Sequence, residues 1–110
     1  LVSRNQVLDL LSRPKVLSPE NEALYDTGSD LVTAETAVSL EQLLAAFDSS
    51  QDEIGKGLLQ ISDDELAKLY NKEREQTILD RIAGLHWHET YHLGQLEILR
   101  QVSAERESFP

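Results

Sequence analysis

Apolar residues recur at helical spacing in three parts of the chain. The first, LVSRNQVLDLL, is rich in Leu and Val and is stopped by Pro14, because proline removes a backbone donor and disfavours helix in the residue before it. The second follows Ser39, which forms a capping-box pattern with the glutamine three residues later, and continues to about Gln60. The third is predicted from about Arg74 to about Ala104, a stretch without proline.

The segments between these helices show no strand pattern, which predicts an all-α fold. Residues 14–36 contain two prolines, a glycine and scattered Asp, Asn and Ser, which is typical of a long crossover connection. Ser62 is followed by Asp-Asp-Glu, a second capping signature that predicts one short helical turn. No segment alternates apolar and polar residues over the length of a strand, so we predict no strand. The length of the chain predicts one domain over residues 1–110.

Composition narrows the possible partners and ligands. The 20 acidic and 10 basic residues give a net charge of -10, which disfavours binding to nucleic acid or to an anionic membrane. Because cysteine is absent, any metal must be held by nitrogen and oxygen atoms. No apolar run approaches the roughly 18 residues of a membrane span, and the first residues lack a signal-peptide layout, so we expect a cytoplasmic protein.

The chain opens in the middle of a helical pattern, without a capping residue or a methionine. We therefore expect an N-terminal helix to be missing from this chain. Three helices would leave an apolar face that a further helix or a second subunit could cover.

All three histidines lie within seven residues of the last predicted helix. His88 and His92 are four residues apart, so they lie on one helix face and can converge on one divalent metal ion. Neutral imidazoles suit zinc, nickel or iron. Glu89 could orient a ligand or act as a catalytic base toward bound water, and His86 points elsewhere. The structural alternatives are hydrogen-bonded core histidines and a carboxylate that only pairs helices.

Two apolar strips are predicted on this helix. The core-facing strip has the histidine pair along one edge, so we expect the pair to face inward or nearly so. It comprises Ile78, Ile82, Leu85, Glu89, Leu96 and Leu99. The second strip would form a dimer face, or would be covered by the missing helix. It comprises Ala83, Trp87, Tyr91, Gly94 and Ile98.

The string from His88 to His92 also satisfies the HExxH pattern of zinc metalloproteases. Such a protease needs a third ligand downstream and a substrate cleft edged by a strand. Only 18 residues follow His92, and their carboxylates at Glu97, Glu105 and Glu107 are not spaced like that ligand. The lack of a suitable third ligand and of a predicted strand therefore argues against a protease.

The segment HWHETYHLGQLEILRQ resembles the final helix of the DinB/YfiT superfamily. The match is carried by six residues, which are His88, His92, Gly94, Gln95, Leu99 and Arg100. The opening LVSRNQVLDLL looks like the family helix that follows the first metal-binding histidine, which is absent here. The resemblance implies a four-helix bundle with a long crossover and a histidine triad that holds zinc, nickel or another divalent ion. Two of the three ligands are present, and we expect the third in the missing segment.

The resemblance also implies function. Family members with assigned activities are metal-dependent transferases that use a low-molecular-weight thiol, such as bacillithiol or mycothiol, or related isomerases, and many members are homodimers. We therefore predict a metal-dependent transferase or hydrolase-type enzyme that acts on a small-molecule substrate. The alternative is a non-catalytic dimeric bundle with a structural or vestigial metal site.

Overall fold

The computed structural model describes residues 1–108, with side chains as far as Ala104, and is mostly helical. The elements in chain order are α1 (Val2–Leu10), α2 (Pro19–Tyr25), α3 (Leu40–Gln60), α4 (Asp63–Leu66), β1 (Leu69–Asn71), β2 (Gln76–Thr77) and α5 (Ile78–Ser108). The predicted helical class is confirmed, and so is the short helical turn after Ser62. The prediction that the chain has no strand is wrong.

Helix α1 packs against both α3 and α5 and carries the centre of the core. Leu8 is fully buried, and Val7 and Leu11 cluster with Leu85 of α5. Partly buried apolar residues complete this cluster, namely Leu10, Ile54, Ile61 and Ile82. The burial of these side chains is the main force that holds the three long helices together, because removal of apolar surface from water dominates folding.

A close approach between α3 and the end of α1 depends on Gly57. A Cβ atom at this buried position would lie 2.8 Å from Leu11 Cβ and 3.0 Å from Arg13 Cγ. Two helices can approach this closely only where one of them carries no side chain. Gly55, one half-turn earlier on α3, is exposed and has open space around its own Cα.

We predict opposite effects for alanine at these two glycines. Gly57→Ala should lower the free energy of unfolding by about 1–2 kcal/mol, because the steric cost exceeds the gain in helix propensity. Gly55→Ala should raise the same free energy by up to about 1 kcal/mol, because only the propensity changes. Urea denaturation followed by circular dichroism measures both. Equal stabilisation by the two variants would show that α3 and Leu11 are not in contact.

The predicted crossover at residues 14–36 contains a helix, α2, that the sequence analysis missed. Ser18 caps this helix by accepting a hydrogen bond from the Asn21 N–H at 3.2 Å, and Pro19 occupies its first turn, where a missing donor costs nothing. The buried Asn5 side chain ties the connection to α1. It donates to the Leu17 carbonyl at 3.1 Å and to Glu22 Oε2 at 2.8 Å.

A short antiparallel hairpin, β1 and β2, occupies the region where we had predicted the start of the last helix. Its turn is stabilised by Asn71 Oδ1, which accepts hydrogen bonds from two backbone N–H groups of the turn. Helix α5 starts at Ile78, where Thr77 and Asp80 cap one another through reciprocal bonds of 3.0 and 3.1 Å. Hydrogen bonding from Thr77, first of all from its backbone N–H, holds the pKa of Asp80 below its usual value.

Helix α5 is packed along its first part and exposed along the rest. Leu85 is buried and Ile82 and Glu89 are half-buried, as the core-facing strip predicts. Leu96 and Leu99 belong to the same strip but are 61% and 62% exposed. The prediction that Leu96 and Leu99 face inward is therefore wrong. In the structure, the contact between α1 and α5 extends to Glu89, which binds Arg4, and not to these later turns. None of the helices in the described part of the chain is both long and apolar enough to cross a membrane.

Candidate metal centre

His88 and His92 lie one above the other near the middle of α5, and their ring nitrogens converge. The two Nε2 atoms are 2.9 Å apart, and the rings meet edge to face with centroids 4.4 Å apart. Both side chains are exposed, so the expectation that the pair faces inward is wrong. The two histidines flank Glu89 in the sequence of α5. His86 is also exposed and lies outside this pair.

Gln95 orients the second histidine. Its Oε1 atom lies within hydrogen-bonding distance of His92 Nδ1, at 2.7 Å. A hydrogen bond from Nδ1 to this oxygen would leave Nε2, which faces His88, as the nitrogen that can bind a metal. Metal-binding histidines are commonly fixed in this way, by an acceptor on the ring nitrogen that does not bind the metal. From the sequence, Gln95 was identified only as part of a family motif, and its contact with His92 was not predicted.

The geometry of the pair fits two neighbouring ligands of a divalent metal ion. Nitrogen ligands lie about 2.1 Å from zinc, so two of them at the tetrahedral angle are about 3.4 Å apart, somewhat farther than the 2.9 Å between these Nε2 atoms. The right angles of a tetragonal nickel site would bring two such nitrogens to about 3 Å. A complete site needs more donors. Among the described side chains, no group of three or more His, Asp or Glu residues is arranged to hold a metal. The side chains of Glu105 and Glu107 lie outside the described residues.

Glu89 is bound by Arg4 rather than directed toward the histidines. Its two oxygens accept from Arg4 Nε at 3.0 Å and from Arg4 Nη2 at 2.7 Å. The Arg4 guanidinium holds the pKa of this carboxyl below its usual value, first through these hydrogen bonds and then through its charge. A carboxylate of lowered pKa is a weaker base, so the geometry favours an orienting role for Glu89 over proton abstraction.

Arg4 forms the centre of a polar network that the sequence did not reveal. The residue is 8% exposed, and its Nη1 atom also donates to Ser50 Oγ at 2.9 Å and to Gln51 Oε1 at 3.1 Å. Its guanidinium carbon lies 3.8 Å from the centre of the Phe47 ring. The network joins α1, α3 and α5 directly below the histidine pair, and so fixes the turn of α5 from which His88 projects.

An open cavity of about 770 Å³ lies beside the histidine pair. Its apolar wall comes from the start of α1, from α3 and α5, and from the connection that contains α2. This wall includes Leu17, Tyr25, Leu43, Leu44, Phe47, Leu85 and Trp87. The polar groups in its lining include Gln6, Asp26, Arg81, His88 and His92. A mostly apolar cleft with a few convergent polar groups is the usual form of a small-molecule site.

Arg81 is the only arginine or lysine among the described residues that line this cavity. Its Nη2 atom donates to Gln6 Oε1 at 2.8 Å, and its guanidinium carbon lies 5.5 Å from the centre of the Tyr70 ring. Within the described side chains, no carboxylate forms an ion pair with it. Arg81 was not a site residue in the sequence analysis, because a basic residue in the first turns of a surface helix has no distinguishing pattern.

A sequence model of the DinB superfamily matches residues 4–96, which include most of α1, the histidine pair and Gln95. The chain belongs to the DinB superfamily. The resemblance drawn from the last helix is therefore confirmed at the level of the family. A search of curated proteins and a search of solved structures found no match to this DinB-superfamily chain.

Proposed function

We propose that this protein is a metal-binding member of the DinB superfamily in which His88 and His92 are two ligands of a divalent ion, zinc or nickel. The observation that carries the proposal is the convergence of the two Nε2 atoms, 2.9 Å apart, at the edge of the cavity. Exposure of both rings leaves room for further ligands from water, a substrate or another part of the protein.

The cavity supports an enzyme that acts on a small molecule. A divalent ion bound at the pair would supply Lewis-acid chemistry and lower the pKa of a bound thiol or water. The residues of the chain would do the rest: Gln95 orients His92, the Arg4 and Glu89 pair holds α5, and the apolar wall excludes water from the bound substrate. Transfer involving a low-molecular-weight thiol is the reaction that the family resemblance favours, and a hydrolase-type reaction would use the same groups.

The proposed enzyme is a four-helix bundle of the DinB type. Helices α1, α3 and α5 would be three of its long helices, and a third metal ligand would come from a residue outside the histidine pair. A homodimer would place the strip around Trp87 and Tyr91 against a second copy. These two rings are both more than half exposed and their centroids lie 6.1 Å apart.

Metal titration tests the proposal. The full chain should bind about one Ni²⁺ or Zn²⁺ ion, and His88→Ala and His92→Ala should each weaken binding by about a hundredfold, because one imidazole alone is a poor site. Isothermal titration calorimetry measures the affinity, and the absorption spectrum of the Co²⁺ form reports the ligand set. His86→Ala is the matched control, because it removes an exposed imidazole from the same helix and should bind metal like the natural chain.

Two results would count against the metal centre. One is equal loss of affinity in the His86→Ala control, which would indicate loose binding to any histidine of α5. The other is an absence of stoichiometric binding in the unaltered chain after removal of chelators. The second result would also remove the basis of the enzyme proposal, since no group of three or more His, Asp or Glu residues among the described side chains is arranged to hold a metal.

A second candidate is a non-catalytic dimeric bundle with a structural or vestigial metal site. It is favoured by the exposed apolar residues on the later turns of α5, which are Leu93, Leu96, Ile98, Leu99 and Val102. Monomeric proteins seldom expose an apolar patch of this kind without a partner. A chain that binds no metal in the titration and sediments as a dimer would support this candidate.

A further inference from the structure

We infer that the cavity beside the histidine pair binds a small carboxylate with an apolar body, and that Arg81 is the group that recognises its anionic end. The ligand would lie along α5, with its carboxylate at Arg81 and its other end at His88 and His92. Its role as the substrate rests on the proposed metal centre, whereas its binding to Arg81 does not require the metal.

Arg81 has the features of a carboxylate receptor. It lines the cavity, and no described carboxylate is within ion-pairing distance of it. One terminal nitrogen is held by Gln6 at 2.8 Å, which restricts the side chain and leaves other donors of the fork for a ligand. A planar guanidinium pairs with a carboxylate through two parallel hydrogen bonds, so the match is one of shape as well as charge.

The charge of the chain makes this placement informative. The net charge is -10, so the protein as a whole repels anions. Asp26 also lines the cavity, but its carboxylate accepts a hydrogen bond from the Thr27 N–H at 2.8 Å and forms no ion pair with Arg81. Arg81 is the only arginine or lysine among the described residues that line the cavity, so a carboxylate is attracted locally there although the whole chain is acidic.

The distance to the histidine pair sets the length of the ligand. Arg81 and His88 are seven residues apart on α5, which places them two turns apart on one face and separates them by about 10 Å along the helix. Between them lies Leu85, and the opposite wall carries Leu44 and Phe47, which are 57% and 44% exposed toward solvent. A chain or ring of about six to eight carbons would span this distance and cover these apolar surfaces.

The test uses 4-phenylbutyrate and its neutral amide, 4-phenylbutanamide, as probes in a nuclear magnetic resonance titration of the full chain. The protein is kept free of metal by a chelator, so that a failure of the metal centre does not affect the result. Arg81→Gln is compared with Arg74→Gln, which removes the same charge from an exposed position in the hairpin turn outside the cavity. Arg81→Lys keeps the charge but not the fork. Circular dichroism confirms that each variant is folded.

We expect the unaltered chain to prefer the carboxylate over the amide by about tenfold, because charge-assisted hydrogen bonds are the stronger ones. Arg81→Gln should abolish this preference, Arg81→Lys should keep part of it, and Arg74→Gln should keep all of it. The double variant His88→Ala/His92→Ala should also keep it.

Three results would overturn the inference. Equal losses in Arg81→Gln and Arg74→Gln would mean that only the overall charge matters. Loss of the preference in the double histidine variant would place the carboxylate at the histidine pair instead. Binding of the amide as tightly as the carboxylate in the unaltered chain would show that the cavity recognises the apolar body alone.

Discussion

Replacement of Arg4 by methionine is expected to lower the free energy of unfolding by about 3 kcal/mol. The variant keeps an unbranched apolar stem but removes every side-chain donor from a residue that is 8% exposed. Ser50 and Gln51 lose a partner inside the protein, and Phe47 loses the guanidinium above its ring. The Glu89 side chain is 41% exposed and regains contact with water, which keeps the loss below that of a fully buried pair. Urea denaturation measures the change.

The same variant should change the response to acid. Because Arg4 lowers the pKa of Glu89 from its ordinary value of 4.5, the pair stabilises the natural chain fully above that pH and loses this contribution as pH falls further. Arg4→Met should therefore lose less stability than the natural chain below pH 4.5. Arg100→Met is the matched control, since it breaks an exposed pair with Glu97 and should leave stability unchanged. A similar loss in both variants would contradict the central place of Arg4.

Replacement of Asn5 by leucine is expected to lower the free energy of unfolding by about 3 kcal/mol. The two side chains are similar in size, so the change removes hydrogen bonds without opening a large cavity. Asn5 is fully buried and accepts from the Val16 N–H at 2.9 Å, in addition to its bonds with Leu17 and Glu22. Its loss leaves buried backbone groups of the connection without a partner, and each such group costs about 1–3 kcal/mol.

Thermal unfolding followed by circular dichroism measures this second effect. Glu22→Gln is the control, because an amide oxygen can still accept from Asn5 and only the charge is removed. It should change the midpoint far less than Asn5→Leu. A midpoint for Asn5→Leu equal to that of the natural chain would mean that α2 and its connection are held by other contacts. Because Leu17 and Tyr25 line the cavity, Asn5→Leu should also weaken binding of an apolar probe there.

The long helices could be predicted from the sequence because their apolar spacing and caps are local signals. Ser39 caps α3 as predicted, and its side chain accepts from the Gln42 N–H. The hairpin could not be predicted, since strands of three and two residues are too short to show alternation. Helix α2 did have a signal that we interpreted as a break: serine, proline and glutamate in succession describe the first turn of a helix as well as a turn.

The candidate site was predictable only where its residues share one helix. The convergence of His88 and His92 follows from their spacing, and it needs no tertiary structure. The partner of Glu89 could not be predicted, because Arg4 lies 85 positions away and only the packing of α1 on α5 brings them together. The same holds for Arg81, whose contact with Gln6 spans 75 positions. Arg81 and Gln6 line the cavity together with residues of α3 and of the connection that contains α2, and no local sequence pattern links these elements.

The exposed later turns of α5 have a consequence for the histidine pair. His88 lies next to a turn anchored by Leu85 and Glu89, whereas His92 lies in a stretch where every residue from Thr90 to Ala104 is exposed. Its position relative to His88 therefore depends on the helix–coil equilibrium of the turns around Gly94, a weak helix former. A ligand that bridges the two rings must also supply the free energy that keeps these turns helical. Its apparent affinity should therefore vary with temperature as helicity does.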